Sequence, residues 1–426
     1  MSQFAGEPGP SPGMRRWVLF AALSVLFGLS MFYRSSTAVL APDLMRDVPM
    51  DVGTLGLASA AFFYTYALLQ IPGGMLLDRF SPATVMTVFF LSALAGVVLF
   101  GLAESPVALV LGRLLMGAGM ACGFIGALKI LFLHFSPDRF ATISGVVVAV
   151  GNLGIVAATT PLVLWAQRFG WRTTFLLVGL FHLVVTLVFV FSSRGRPRPG
   201  AEAPAAASQG SPMRNLFLVL KDKQALIISG SVFIRYGVLA AFQGLWAGPY
   251  LMDAMGFSPV TAGNLLFLLT LGVVVGNPVS GLLSDRVFRE RKGIMIVSLT
   301  GYSLTLAALA CVPVGAPLWL PALLFAMFGL FAGTATIPYA HLRDLTPPER
   351  SATALTVINF CAVVGAGAFT QGLGFLMKEL HPGSTLGIEA FRDAFVACAV
   401  CMGGAAALYS TTREKKEEST DPPAGR

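Results

Sequence analysis

The chain has 426 residues, 55% of them apolar and only 12% charged, with a mean hydropathy of +0.76. A soluble domain carries roughly 25% charged residues, so the composition excludes an ordinary soluble globule and puts most of the chain inside a lipid bilayer. The net charge of +8 then reads as basic loops on the cytoplasmic face of a membrane, with no nucleic-acid partner.

Residues 1–14 are rich in Pro and Gly and read as a disordered tail. The apolar run after Arg15-Arg16 is too long for the core of a signal peptide and lacks a clear cleavage site, so it reads as a retained first span. A span needs roughly 20 apolar residues. Twelve stretches meet this: 17–41, 54–77, 83–102, 107–133, 141–165, 172–192, 224–249, 260–283, 293–312, 318–340, 351–376 and 390–411. Short separators such as "DRFSPA", "RFGWR" and "TPPER" carry the turn and charge residues. The longest break, 194–223, is basic and rich in Pro, Ala and Ser. The expected architecture is an all-α integral membrane protein of 12 transmembrane helices. One six-helix bundle spans 15–193 and a second spans 224–411. Residues 194–223 form a cytoplasmic linker and 412–426 a charged cytoplasmic tail.

With the N-terminus inside, cytoplasmic segments hold 20 of the 29 Lys and Arg residues and external loops hold 5. That bias predicts both termini in the cytoplasm of a multi-pass plasma (inner) membrane protein. The five cysteines all lie in apolar runs, which argues against a disulfide framework. Cys398 and Cys401 form a C-x-x-C, but on a membrane helix this reads as packing. The four histidines lack metal-site spacing, and there is no phosphate-binding G-x-x-x-x-G-K-[ST] loop. No cofactor, metal or catalytic cluster is expected, so the chain does not read as an enzyme.

The two halves echo each other. "GMLLDR" (74–79) matches "GLLSDR" (281–286), "PDRFAT" (137–142) matches "PERSAT" (348–353), and "SMFYR" (30–34) parallels "SVFIR" (231–235). Two six-helix repeats around a central site are a transporter architecture, in which rocking one repeat against the other exposes the site alternately. Over residues 15–411 the chain resembles the major facilitator superfamily. The family's loop G-x-L-x-D-R-x-G-R-[RK] is matched at Gly74, Leu76, Asp78 and Arg79, whereas Ser81 and Pro82-Ala83 depart from its later part. The second copy keeps Gly281, Asp285 and Arg286 and adds Arg289, Arg291 and Lys292. Arg113, Gly117 and Gly119 resemble the fourth-span motif. Asp78 and Asp285 are expected at the ends of spans 2 and 8, able to gate by pairing with basic residues or helix N-termini across the half-to-half interface. The alternative is a solvated turn.

Four cations fall inside spans: Arg34, Arg113, Lys129 and Arg235. A buried arginine costs several kcal/mol unless it meets water, a partner or a ligand. Snorkelling, pairing with an acid and binding an anion compete for Arg34. No Asp or Glu lies mid-span, and Arg34 and Arg235 occupy duplicated positions. An anionic substrate is therefore the preferred reading, since guanidinium forks onto phosphate or carboxylate. Within the superfamily the pattern is similar to the organophosphate:phosphate antiporter family and the related organic-anion symporters. "FIRYGVLAAFQGLWAGPYL" (233–251) keeps that family's Arg235, Tyr236, Gly237, Leu239, Pro249 and Tyr250. The resemblance implies an anion held between Arg34 and Arg235, with Tyr66 beside it. Gly151, next to Asn152, stands where that family has a histidine.

Lys129 either guides an anion or forms a salt bridge in the inward state. Arg113 either couples to protons or stabilises packing. Gln243, Asn152, Asn264 and Asn359 either line the cavity or bond helix to helix. Glycines on spans 5 and 11 are expected to let helices approach closely. The expected function is alternating-access transport of a small solute, by preference an anion, through proton symport or anion exchange, by a monomer. Proton-coupled efflux of hydrophobic compounds is the alternative, and a transporter-like solute sensor is a third.

Overall fold

Long apolar stretches satisfy their backbone polar groups internally as helices, because hydrocarbon offers no partners. In the computed structural model, residues 12–135, 137–193, 212–288 and 290–414 are described, and among them there are helices and no strands. The membrane-length helices are α1 (Met14–Ser35), α2 (Val52–Arg79), α3 (Pro82–Gly101), α4 (Pro106–His134), the bent pair α5 (Thr142–Ala157 and Thr160–Phe169), α6 (Trp171–Ser193), α7 (Lys223–Ala254), α8 (Pro259–Val287), α9 (Lys292–Ala310), α10 (Trp319–Leu345), α11 (Glu349–Leu380) and α12 (Ile388–Tyr409). Eleven of these qualify by length and apolarity, or twelve when the bent pair counts as one span.

The breaks have local causes. α5 bends by 46°. There Thr159 leaves helical geometry, and Pro161, in the first turn of the second piece, can neither donate nor tolerate the preceding carbonyl. α1 stops at Ser35, short of the expected 41, and a separate helix, Thr37–Asp47, follows it. α10 opens at Gly333–Thr336 and resumes at Ile337. Side chains take up several of its freed groups: the Phe331 and Gly333 carbonyls accept from Ser298 and Ser280, and the Ala335 N–H donates to Asn277. α7 carries two wide turns, closed by Ala247 N–H to Phe242 C=O and Met255 N–H to Tyr250 C=O.

Helix pairing repeats after six helices. α1 packs on α5 as α7 packs on α11; α2 on α4 as α8 on α10; α3 on α6 as α9 on α12. The expected glycine contacts recur in the same way. A Cβ on Gly154 of α5 would lie 2.0 Å from the Gly28 carbonyl oxygen, and one on Gly365 of α11 would lie 2.2 Å from that of Phe233. Gly145 and Gly372, grouped with them from sequence, face open space instead. The stretch read as a linker is partly helical: Pro212–Lys221 forms a helix packed on α7 and α11. Of the expected tails, residues 1–11 and 415–426 lie outside the described residues, as do linker residues 194–211 and Arg289, whereas Pro12–Met14, read as part of a disordered tail, begin the first helix.

Candidate substrate cavity

A cavity of about 780 Å³ separates the two halves, walled by α1, α2, α4, α7, α10 and α11. It runs from Arg34, Tyr66 and Arg235 at its deep end to Asp78 and Leu355 at its mouth. Contacts between the halves gather on the other side. Tyr64 donates to Gln371 at 2.7 Å, Thr160 to Asn264 at 2.7 Å, and Lys378 pairs with Asp51 at 2.7 Å. The molecule is closed on the Asp51 side and open on the Asp78 side.

Arg34 sits in the last turn of α1, where the helix carbonyls favour a cation. Its Nη1 donates to the Tyr236 hydroxyl at 3.3 Å, and its Cζ lies 4.2 Å from the Tyr66 ring centre. Arg235 is 2% exposed; its Nη1 donates to the Ala332 carbonyl at 2.7 Å, at the α10 opening. The Nε of each is buried without a hydrogen-bond partner. Neither forms a salt bridge among the described residues. The cavity therefore presents two cations with unspent donors, and the carboxylate on its lining, Asp78, is paired with Lys129 and not with either arginine. Snorkelling is ruled out for Arg235 by its burial.

Of the residues singled out from sequence, Arg34, Tyr66, Arg235, Asn359, Gly74 and Asp78 share this cavity. Asn359 accepts from the Tyr339 hydroxyl at 3.3 Å. Three others do not line it. Gln243 donates to Thr270 at 3.1 Å, joining α7 to α8. Asn152 is on α5, which contributes nothing to the wall. Lys129 bonds the Leu77 carbonyl at 2.6 Å and Asp78 at 2.7 Å. In this structure Lys129 forms the salt bridge that was one of its two readings, with its charge matched by Asp78. Asp78 thus pairs within its own half, not across the interface as expected. Asp285 and Arg286 are exposed, and with Gly281 they lie off the cavity.

Arg113 is 1% exposed and also off the cavity. It donates to the Tyr33 and Ser59 carbonyls and stacks on Phe62, its Cζ 5.1 Å from the ring centre. The packing reading fits this geometry, since the guanidinium ties α4 to α1 and α2. Sequence reasoning missed Gln70, Tyr339 and Thr356 as wall residues and knew Tyr236 only as part of a motif. Tyr66, Gln70, Gly74 and Asp78 recur every four residues, a helical-face signal that was available. Tyr339 was missed because the break signals just before it, Gly333 and Pro338, were read as part of one continuous span.

Two similarly paired sets of helices, closed on one side of a central cavity and open on the other, define a secondary-transporter fold. Residues 23–247 and 228–426 match the family model of the Major Facilitator Superfamily, and the chain belongs to that superfamily. It is a multi-pass membrane transporter. It is 26% identical over 309 residues to the probable sulfoacetate transporter SauU of Cupriavidus necator, covering 67% of this chain and 70% of the relative. It is 23% identical over 447 residues to the probable galactarate/D-glucarate transporter GarP of Escherichia coli, covering 95% and 96%. The membrane sensor protein UhpC of Salmonella typhimurium is 23% identical over 387 residues, covering 86% and 87%. The first two are named for organic anions, the branch of the superfamily that the sequence resembles. A bacterial homologue of the human lysosomal transporter Spinster, solved inward-facing and unoccupied, shares the fold with a TM-score of 0.72 at 20% identity, covering 94% of this chain and 97% of that one.

Proposed function

We propose that this protein carries a small organic or inorganic anion across the plasma (inner) membrane by alternating access. The anion sits between Arg34 and Arg235, with Tyr66, Tyr236 and Asn359 around it. The halves 15–193 and 224–411 rock about this site, and proton symport or anion exchange drives the cycle. The protein works as a monomer of twelve spans with both termini cytoplasmic, so the Asp78 mouth faces the cytoplasm.

The observation that carries this reading is the pair of buried guanidiniums lining one cavity from opposite halves, each with an unbonded Nε and no salt bridge among the described residues. Desolvated cations are stable only when matched, and a bound anion supplies the match. The relatives named for sulfoacetate and galactarate/D-glucarate transport support the same substrate class. The test is thermal stabilisation of the purified protein by a panel of carboxylates, sulfonates and phosphates, with Arg34→Gln as control. Stabilisation by one class that is lost in Arg34→Gln is expected. Stabilisation that survives the substitution would refute the site and favour efflux of uncharged compounds. A solute sensor would bind the anion without moving it, so flux into liposomes separates that case.

A further inference from the structure

The cavity walls differ in how much apolar surface they leave bare. The second half contributes Arg235, Tyr236, Tyr339, Thr356 and Asn359 together with Val232, Ala335, Leu355, Ala362 and Val363, and none of those five apolar side chains is exposed. Beyond Arg34 and Tyr66, the first half contributes mainly Phe27, Met31, Ile71, Met75, Phe124 and Ile125, interrupted by Gln70 until Asp78 at the mouth. Ile71, Met75 and Ile125 are 51%, 68% and 44% exposed, although they face a cavity and not the lipid alone. Large apolar side chains left bare on an aqueous wall mark a place where apolar surface is to be covered. Met75 adds an unbranched, adaptable thioether, suited to a tail of variable shape. Gly74 between them leaves open space, for a Cβ there would meet nothing within 4 Å.

We infer that the substrate is an amphipathic organic anion. Its carboxylate, sulfonate or phosphoryl head meets Arg34 and Arg235, and an apolar alkyl or aryl tail lies along Ile71, Met75 and Ile125. The inference rests on the anion reading above and narrows it. A polyhydroxylated acid fits this wall poorly, because hydroxyls turned toward Met75 and Ile125 would lose water without gaining a partner. A competing use of the strip is as a seam that seals the mouth when the halves rock. A seam would slow every substrate alike, whereas a tail site discriminates between them.

The experiment compares methyl and hexyl members of each head class, with glucarate alongside. Binding is measured calorimetrically, and uptake in liposomes, for wild type, Arg34→Gln and the double variant Met75→Gln/Ile125→Gln. For the head class that binds, each added methylene should tighten binding about 3–4-fold until the strip is covered, with glucarate weaker than the hexyl anion. The double variant should collapse the hexyl-to-methyl ratio toward one. Arg34-dependent binding with no dependence on tail length, or glucarate binding tighter than the hexyl anion, overturns the inference and leaves the anion site standing. An unchanged ratio with both anions slowed in the double variant assigns the strip to the seam and also overturns it. Failure of every head class to bind, or binding indifferent to Arg34→Gln, removes both readings together.

Discussion

Arg34 of α1 reaches across the cavity to hydrogen-bond Tyr236 of α7, its Nη1 3.3 Å from the phenol oxygen. The first half's cavity cation is thus held by the second half, next to Arg235 in the same chain segment. Any ligand that takes hold of Arg34 necessarily alters a contact between halves. This is the physical link between binding and rocking.

Replacing either arginine should weaken anion binding. Truncating one partner of a buried charge pair costs about 2–5 kcal/mol, or at least about 30-fold in affinity. Arg34→Gln and Arg235→Gln should each reach that loss. Arg34→Lys keeps the charge but not the two-pronged donor geometry, so its loss should be intermediate. Titration calorimetry with the stabilising anion measures all three.

Arg113 should behave differently. Its guanidinium serves two backbone carbonyls, and Arg113→Met leaves both unpaired, at about 1–3 kcal/mol each. A clear drop in melting temperature is expected. The milder Arg113→Lys should transport with the pH profile of wild type. A shifted profile would restore the proton-coupling role.

Lys129 and Asp78 form an ion pair whose carboxylate is 73% exposed. Such pairs contribute about 0–1 kcal/mol. Lys129→Met should therefore leave melting temperature and anion affinity nearly unchanged. A tenfold loss of affinity would return Lys129 to the substrate path.

The closed side has its own latch. The Lys378 ammonium and the Thr54 N–H hold the Asp51 carboxyl down, from 3.8 to about 2. A depressed carboxyl favours the latched state above its free value near 3.8, and that preference is lost as pH falls toward about 2. Asp51→Asn mimics the protonated form at neutral pH. It should raise labelling of a cysteine placed below the latch by an impermeant maleimide added from the Asp51 side.

Closure on that side also needs Gly248. A Cβ there would lie 1.6 Å from the Ala38 carbonyl oxygen, across the half-to-half boundary. Gly248→Val should stop the halves meeting on the Asp51 side, abolishing transport while the helical content by circular dichroism persists.

Much of this was legible in the sequence. Span positions follow from apolarity, and the internal repeat follows from matched hexapeptides, because both are properties of the chain alone. Arg34 and Arg235 stood out because a charge among apolar residues demands a reason. The remainder depends on distance in space. Lys129 looked available until Asp78 was seen 2.7 Å away. Gln243 and Asn152 looked like site residues because an amide in a span gives no clue to which face it occupies. The openings of α1, α5 and α10 escaped notice because their short polar breaks, such as Ser35-Ser36, Thr159-Thr160 and Gly333-Thr334, lie inside longer apolar stretches. Only the hydrogen bonds of Ser280, Ser298, Asn277 and Arg235 reveal why α10 can open.

The central claim is that Arg34 and Arg235 together carry an anion through the membrane. The most direct measurement is uptake of labelled anions into liposomes containing the purified protein, with and without a pH gradient, beside Arg34→Lys and Arg235→Lys. The account predicts saturable uptake of at least one organic anion, sharply reduced by either substitution. Undiminished uptake in both variants, or no anion moved under any gradient, would contradict it.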